Sequence, residues 1–193
     1  MRAFQVGLLL IASTLTSGTA GTMAQLPAVT THTEAPRDVF LRNVDAYVRL
    51  HRQVEIGLPP RVVTEDLEVL LAPKRAMALA MSRARADARQ GDVFMPEVVA
   101  FFRVTVARAL RDGGIEDFLA IVEDDNAVHV VPTVNGDYPA GASLSSMPPC
   151  LLAVLPPLPE ELEYRFLGRD LVLVDLRAGL IVDFIPRALR ETT

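Results

Sequence analysis

The sequence has no tryptophan, one cysteine and three histidines among its 193 residues, and these shortages narrow the possible chemistry. A lone cysteine, Cys150, cannot close a disulfide within its own chain. It is either a buried free thiol or half of an intermolecular bridge. The histidines are far apart, at His32, His51 and His129, and lack the spacing of a clustered metal site. We therefore predict no bound metal ion and no cofactor.

Positive charge is also scarce and scattered. The chain carries 19 lysines and arginines against 24 aspartates and glutamates, for a net charge of −5. A nucleic-acid-binding domain presents a concentrated basic face, so we do not expect a nucleic-acid partner. Some arginines recur in helical stretches, and either an anionic lipid or glycan contacts them or they lie on solvated faces beside acids, which is the favoured interpretation. They are Arg83, Arg85, Arg89, Arg103, Arg108 and Arg111.

Long hydrophobic runs are missing except for a short one at the N-terminus. Arg2 precedes the mostly apolar residues 6–15, and Thr22, Met23 and Ala24 then form a small-residue cleavage site. These are the three parts of a secretory signal peptide, spanning residues 1–24. The apolar run is about half of the ~20 residues that a spanning helix needs. We predict cleavage after Ala24, a periplasmic or secreted location, and no transmembrane segment in the mature chain.

The mature chain has the length of one ordinary domain with a real core. Residues 25–36 are polar, rich in threonine and without periodicity, which predicts a disordered leader. Within residues 37–193, helical patterns come first, over about 38–123, and strand patterns follow, over about 127–186. This order predicts a single α+β domain whose N-terminal helical part packs on a C-terminal antiparallel β-meander.

The chain is expected to contain three longer helices and two short ones. The spacing of apolar residues predicts a first helix over 38–57. A helix start is indicated at 64–66, and the pattern restarts near Pro73 and runs to Arg89. Proline at the first helical position opens the third helix at Pro96. Short helices are predicted over 115–123 and after Pro148.

The meander is the clearest fold signal in the chain. Residues 162–166 alternate between apolar and charged side chains, as in a half-buried strand. Gly168-Arg169 has the length of a two-residue hairpin loop. Residues 171–174 are apolar on both faces, which predicts a central strand covered from both sides, and 180–185 form the third strand. A further strand at 127–131 is expected to lead into a hairpin at Asn135-Gly136.

Two places are candidate binding sites. Tyr47, His51 and Glu55 share one face of the first helix at four-residue steps, as metal or ligand contacts do, although a histidine at the edge of a core gives the same pattern. The turn Gln90-Gly91-Asp92 lies between two predicted helices, where loops often carry binding groups. A structural helix cap explains the same glycine.

A serine hydrolase site is disfavoured. Residues 141–145 begin like the G-x-S-x-G turn, with Ser143 at the nucleophile position, but the second glycine is missing. His129 is the only nearby base. A flexible loop is the better interpretation.

Two blocks of the chain resemble a family of exported bacterial proteins, and together they cover most of the mature chain. The first block comprises YVRLHR at 47–52, LPP at 58–60 and ARQGDVFMPE at 88–97. The second comprises MPP at 147–149, LP at 158–159, YRF at 164–166 and GRDL at 168–171. In that family a threonine often precedes the helix-opening proline, where this chain has Met95. The resemblance implies an envelope location and no particular mechanism.

The meander, residues 164–185, is also similar to a small module of periplasmic nickel/cobalt-homeostasis proteins and of other envelope proteins. This likeness implies a shared way of folding. The favoured interpretation is thus an exported cell-envelope protein that acts as a non-catalytic binding or interaction module, with an envelope protein or surface as its partner. The alternatives are an envelope enzyme using carboxylate acid–base chemistry and a metal-handling accessory protein.

Overall fold

Helices come first and a three-stranded antiparallel meander follows, as predicted, and the fold is α+β. A computed structural model describes residues 34–59, 65–115, 118–125, 130–139 and 147–189, with the side chains at 119 and 123–125 excepted. The helices are α1 (Pro36–Ile56), α2 (Leu67–Ala84), α3 (Pro96–Asp112), α4 (Phe118–Asp125) and α5 (Pro149–Leu152). The strands are β1 (Leu162–Leu167), β2 (Asp170–Asp175) and β3 (Leu180–Ile185). They form one antiparallel sheet in the order β1-β2-β3, which confirms the meander.

Two left-handed glycines close the turns of this sheet. Gly168 has φ +56° and Gly179 has φ +69°, a region that side chains with a Cβ adopt only with strain. A Cβ at Gly179 would also meet the end of the Lys74 side chain of α2, which would have to move aside. A bulge between Leu173 and Val174 shifts the register of β2 and β3. The turns and the bulge fix which side chains of β2 face the helices.

Both faces of β2 are covered, as its sequence predicts. Leu171 and Leu173 belong to the main core with the helices. Val172 and Val174 belong to a second cluster on the opposite face, where Val130 and other side chains cover them. Each of these four side chains is at most 3% exposed.

Helices α1 and α3 supply the aromatic centre of the main core. Phe40 of α1 lies 4.9 Å from Phe102 of α3 and 5.4 Å from Phe94, measured between ring centroids. Tyr164 of β1 completes the group at 6.2 Å from Phe40, and its hydroxyl donates to the Pro156 carbonyl. The core therefore joins the two helices directly to the sheet.

The predicted boundary of the leader is wrong at its C-terminal end. Pro36 already lies in α1, where its missing N–H costs nothing at the first helical position. Residues 25–33 lie outside the described residues. α1 ends at Ile56 with Gly57 as its cap, as its pattern predicts.

For the second helix, the start indicated at 64–66 is confirmed, whereas the restart at Pro73 and the end at Arg89 are wrong. α2 starts at Leu67, because the Asp66 carboxylate accepts hydrogen bonds from the Glu68 and Val69 amides at 2.9 and 3.4 Å. The helix continues through Pro73 and ends at Ala84. The proline removes one intrahelical hydrogen bond in the half of α2 that lies away from the core, so it does not break the helix. Among the described residues, no helix is long and apolar enough to cross a membrane.

The segment 130–139 does not form the predicted strand and hairpin. Residues 127–129 lie outside the described residues, and Val130 and Val131 are not in a strand. Asn135 donates its amide to the Ile181 carbonyl at 2.9 Å, and Ile181 donates back to Gly136 at 2.8 Å. The segment therefore pairs with β3. The remaining helix predictions hold for α3 and α5, whereas α4 begins later than expected.

Candidate functional site

Tyr47 and His51 lie on one face of α1, as predicted, and both contact an aspartate at the end of β2. The Tyr47 hydroxyl donates to Asp175 Oδ2 at 2.6 Å. His51 Nδ1 lies 2.7 Å from the same oxygen, a position in which its N–H donates to the carboxylate. We call these three side chains the polar cluster. His51 and Asp175 are fully buried, and Tyr47 is nearly so.

The second oxygen of Asp175 organises the turn between β2 and β3. Asp175 Oδ1 accepts the amides of Arg177 and Ala178 at 2.9 and 2.7 Å. Burial opposes the charged form of this carboxyl group. Hydrogen bonds from His51, the Ala178 amide and Tyr47 nevertheless hold the pKa of Asp175 below its ordinary value of 3.8. One ionised carboxylate therefore ties α1 to the hairpin.

Tyr47 acts only as a donor in this arrangement. Its burial, and then the charge of Asp175, raise the pKa of the Tyr47 hydroxyl, so the phenol stays protonated. The guanidinium of Arg85 lies over the Tyr47 ring, 5.0 Å from its centroid. Arg85 also donates to Asn135 Oδ1 at 2.8 Å and to the Val182 carbonyl at 3.0 Å. The polar cluster thus continues into the C-terminal end of α2.

The outer edge of His51 is the one part of the cluster without a hydrogen-bond partner. His51 Nε2 is buried and unpaired, and the nearest carboxylate oxygen is Glu55 Oε2 at 3.7 Å. Glu55 Oε1 in turn lies 2.8 Å from Arg177 Nε, a close ion pair whose N–H is not aimed at the oxygen. Among the described residues, no group of three or more His, Cys, Asp or Glu side chains is placed to hold a metal ion.

The turn Gln90-Gly91-Asp92 wraps around a second buried aspartate. Asp183 of β3 accepts the amide of Gly91 at 3.0 Å, that of Val93 at 2.9 Å and that of Phe94 at 2.8 Å. Gly91 has φ +96°, which turns these amides toward one point. Converging amides of this kind make an anion-binding nest, and here Asp183 fills it. Gln90 and Asp92 point into solvent, although the Asp92 carboxylate accepts the Arg89 amide at 2.9 Å.

Other candidates from the sequence have varied positions. Ser143 and His129 lie outside the described residues. Arg83 and Arg89 are exposed, as expected. Arg103 is not, because it is half-buried and donates to the Pro186 carbonyl at 2.7 Å. Arg85 is likewise part of the internal network described above. Cys150 is a free, half-buried thiol.

Asp175 and Asp183 are the residues that sequence reasoning missed. Each is an acid at or near the end of an apolar strand run, and a charge in such a run is costly to bury unless it is paired. An acid in an apolar strand pattern can be seen in the sequence alone. Its binding partners cannot, because His51 is 124 positions from Asp175 and Gly91 is 92 positions from Asp183.

Helix α2 carries an apolar stripe that is partly exposed to solvent. Leu67, Leu70, Lys74, Met77 and Met81 follow one stripe at three- and four-residue steps. Met77 and Met81 are fully buried in the core, whereas Leu67 is 63% and Leu70 54% exposed. The core-facing stripe therefore extends beyond the edge of the domain. We call its first two turns, residues 67–74, the α2 overhang.

The side of α2 opposite this stripe is apolar as well. Val69 and Leu79 are exposed there at 44% and 52%, with alanines at 72 and 76 between them. Among the described residues, charges near the overhang are confined to one flank and to the ends: Glu68 pairs with Arg75 at 2.7 Å, and both are well exposed. A helix that is apolar around most of its circumference is typically covered on more than one side.

No family model, curated protein or solved structure matches the chain. The described residues combine polar groups that are buried and mostly paired with each other, and an apolar helix surface that faces solvent.

Proposed function

We propose that this chain is an exported cell-envelope protein that serves as a non-catalytic binding or interaction module. The observation that carries the proposal is the α2 overhang. Leu67 and Leu70 belong to the same stripe as two fully buried methionines, yet more than half of each side chain is exposed. Contiguous exposed apolar side chains on a soluble domain are typical of interaction sites.

The environment of the polar cluster supports a structural role for it. A general base or nucleophile must come within hydrogen-bond reach of its substrate. His51 and Asp175 are fully buried, and both oxygens of Asp175 are engaged by hydrogen bonds inside the protein. These groups anchor α1 to the hairpin between β2 and β3.

The envelope location is supported by the N-terminal signal pattern around Arg2 and Ala24 and by the resemblance to exported bacterial proteins. Neither observation identifies a ligand. The proposed partner is an envelope protein or surface that covers the apolar side chains of α2.

One observation favours a second candidate function. His51 donates through Nδ1 to a carboxylate, the arrangement that prepares Nε2 to bind a metal or accept a proton, and Nε2 has no hydrogen-bond partner. A metal-handling protein or an acid–base enzyme would use Nε2 together with the nearby Glu55. This candidate requires the site to open, because Nε2 is buried, and it stands second for that reason.

Photo-crosslinking tests the first proposal. A benzophenone amino acid is placed at Leu70, in the overhang, and separately at Val104, which is 70% exposed on α3. Cells that make the protein natively are irradiated and the products are separated by mass. We expect a discrete larger product from position 70 and none from position 104. No product from either position, or equal products from both, would contradict the proposal.

A further inference from the structure

Three buried polar atoms without a hydrogen-bond partner lie where the end of α1 meets the turn between β2 and β3. They are His51 Nε2, Arg177 Nε and Glu161 Oε2, and the fourth such atom among the described residues, Arg103 Nε, is on α3. His51 is fully buried, and the side chains of Glu161 and Arg177 are only 10% and 16% exposed. Buried polar groups are normally bonded to protein or to an ordered water, so three unpaired atoms in one place indicate a partner that they share.

Glu55 connects two of these atoms. Its Oε2 lies 3.7 Å from His51 Nε2, and its Oε1 lies 2.8 Å from Arg177 Nε. Neither contact is a hydrogen bond, because the first is too long and the Arg177 N–H is not aimed at the oxygen. The two nitrogens are therefore close to each other and still unpaired.

Glu161, which directly precedes β1, is tied to the same place. Its backbone carbonyl accepts the amide of Leu176, the neighbour of Arg177, at 2.9 Å. Its Oε1 accepts from Arg52 Nε at 2.6 Å, and Arg52 follows His51 in α1. The ion pair with Arg52 favours the charged carboxylate, while the other oxygen of Glu161 stays buried and unpaired.

The bonds that are present fix the roles of the three atoms. A charged carboxylate only accepts hydrogen bonds, so the proton of His51 lies on Nδ1, where it binds Asp175, and Nε2 is left as an acceptor. A second proton on Nε2 would need an acceptor of its own, and Glu55 is too far away to provide it. Glu161 Oε2 also accepts, and Arg177 Nε–H only donates. The three atoms therefore offer two acceptors and one donor.

We propose that one ordered water molecule binds between the side chains of His51, Glu161 and Arg177. Its two O–H groups donate to His51 Nε2 and Glu161 Oε2, and one of its lone pairs accepts the Arg177 Nε–H. Three hydrogen bonds are usual for a buried water, and each of them satisfies a group that is costly to bury unpaired. This inference goes beyond the proposed function and does not depend on the α2 overhang.

Ions fit the same three atoms less well. A metal ion would face the Arg177 guanidinium, and the described part of the chain places no group of three or more His, Cys, Asp or Glu side chains around such an ion. An anion would face the Glu161 carboxylate and the lone pair of His51 Nε2. Water is neutral and both donates and accepts, so it suits two acceptors and a donor.

The water extends the polar cluster to the start of the sheet. Through it, the bond from Asp175 to His51 continues to Glu161 and Arg177, so that α1, β1 and the turn share one hydrogen-bond network. A metal or substrate at Nε2, as the second candidate function requires, would have to displace a water that makes three hydrogen bonds.

A crystal structure of the mature chain, at a resolution that shows ordered waters, tests the proposal. We expect a water oxygen within about 3.2 Å of His51 Nε2, Glu161 Oε2 and Arg177 Nε. No peak there, or a peak that contacts fewer than three of these atoms, would overturn the proposal. So would a direct bond from Nε2 to Glu55 or Glu161, because a protonated imidazole needs no water. A metal ion at this place, identified by anomalous scattering, would overturn the water and favour the second candidate function.

NMR tests the site in solution. The carbon-bound protons Hδ2 and Hε1 of His51 flank Nε2, so a long-lived water at Nε2 should show cross-relaxation with both of them. This wild-type signal is measured first and does not depend on any variant. Its absence would overturn the proposal.

A pair of arginine variants shows whether the water is held at the proposed place. Arg177→Leu removes the donor and should abolish the cross-relaxation. Arg165→Leu is the matched control, because Arg165 is 19% exposed and also pairs with a glutamate at 2.8 Å, but its Nε already donates to that glutamate at 3.2 Å. It should leave the signal unchanged, and a cooperative thermal melt shows that each variant is folded. The same signal in folded Arg177→Leu as in the wild type would overturn the proposal.

Discussion

His51 donates its Nδ1–H to the carboxylate of Asp175 across 2.7 Å, although 124 positions separate the two residues in the chain. The bond joins the last turns of α1 to the hairpin between β2 and β3. Both side chains are fully buried, so water cannot take the place of either partner unless the core opens. This link couples the stability of the helical part to that of the meander.

The pH dependence of stability should report this bond. The pKa of Asp175 is lower in the folded chain than its ordinary value, so the stabilisation from its charged form is complete above about pH 5 and is lost as pH falls through the folded pKa. Asp175→Asn removes the charge and should cost about 2–4 kcal/mol at pH 7. Denaturant unfolding from pH 3 to pH 7 should show the gap between wild type and variant narrowing below about pH 4. A gap of constant size would contradict an ionised Asp175.

Asp183 should contribute at least as much as Asp175 to the free energy of unfolding. Its carboxylate accepts the amides of Gly91, Val93 and Phe94, and also the amide of Phe184 at 2.8 Å. Asp183→Asn points an amide NH₂ at some of these donors and should lower the free energy of unfolding by about 3–5 kcal/mol.

The matched control for Asp183→Asn is Asp45→Asn, on the exposed side of α1. It should change the unfolding free energy by less than about 0.5 kcal/mol. Urea unfolding of both variants makes the comparison. If Asp183→Asn is as stable as the control, the turn at residues 90–92 does not depend on the buried carboxylate, and a ligand-binding role for that turn gains support.

The meander could be predicted from local sequence because its determinants are local. Alternation in β1, a two-residue turn at Gly168 and an αL glycine at Gly179 each act within a few residues, and all are found in the structure. The second helix is harder to predict from local sequence. Residues 64–66 indicate its start, but Pro73 is also a usual helix start, and the sequence does not reveal that one helix runs through it and tolerates the lost hydrogen bond.

Part of the candidate site could be predicted from local sequence, and part of it could not. The shared face of Tyr47 and His51 follows from helical periodicity alone. Their partner does not, because Asp175 reaches them only through the antiparallel register of the sheet and the packing of α1 against it. The turn at Gly91 is a similar case: its positive φ is predictable from the glycine, whereas the aspartate that fills it comes from β3.

Val172 should tolerate no charge. Its side chain is fully buried in the cluster on the outer face of β2. Burying a valine is worth about 1.5–2 kcal/mol, and an unpaired carboxylate at the same place costs several more, out of about 5–15 kcal/mol for a whole domain. Val172→Asp should therefore yield little folded protein.

The control for Val172→Asp is Val104→Asp, the same change at a 70% exposed position of α3. It should alter the unfolding free energy by less than about 0.5 kcal/mol, because valine and aspartate have similar helix propensities. Arg177 is a poor control despite its place in the turn: its side chain is only 16% exposed and pairs with Glu55. Thermal melting compares the variants, and a Val172→Asp melt within a degree or two of the parent would show that the strand is not central.

Export predicts a defined N-terminus. The chain isolated from an envelope fraction should begin at Gln25, because Ala24 ends the predicted cleavage site. Replacing Ala24 with aspartate removes the small residue and should leave an unprocessed chain that begins at Met1. N-terminal sequencing distinguishes the two. Wild-type protein that keeps Met1 in a soluble cytoplasmic fraction would contradict export.

The contributions of Arg85 and Asn135 to stability should be coupled. Arg85 Nη1 donates to Asn135 Oδ1 at 2.8 Å, and Asn135 Nδ2 donates back to the Arg85 carbonyl at the same distance. The exchange holds the segment at 130–139 against the end of α2. Arg85 is half-buried, and this burial lowers the pKa of its guanidinium, so each bond should contribute more to stability than a bond at the surface.

A double-mutant cycle measures this coupling. Arg85→Ala and Asn135→Ala should each cost about 1–3 kcal/mol, the second partly because Asn135 has φ +61° and alanine is strained there. The double variant should be more stable than the sum of the single losses predicts, by about 1 kcal/mol or more. Arg108→Ala with Asp112→Ala, an exposed pair at 3.4 Å, serves as the control cycle and should show about 0.5 kcal/mol or less. Equal coupling in the two cycles would mean that the bond from the Arg85 guanidinium to Asn135 contributes no more to stability than an exposed ion pair does.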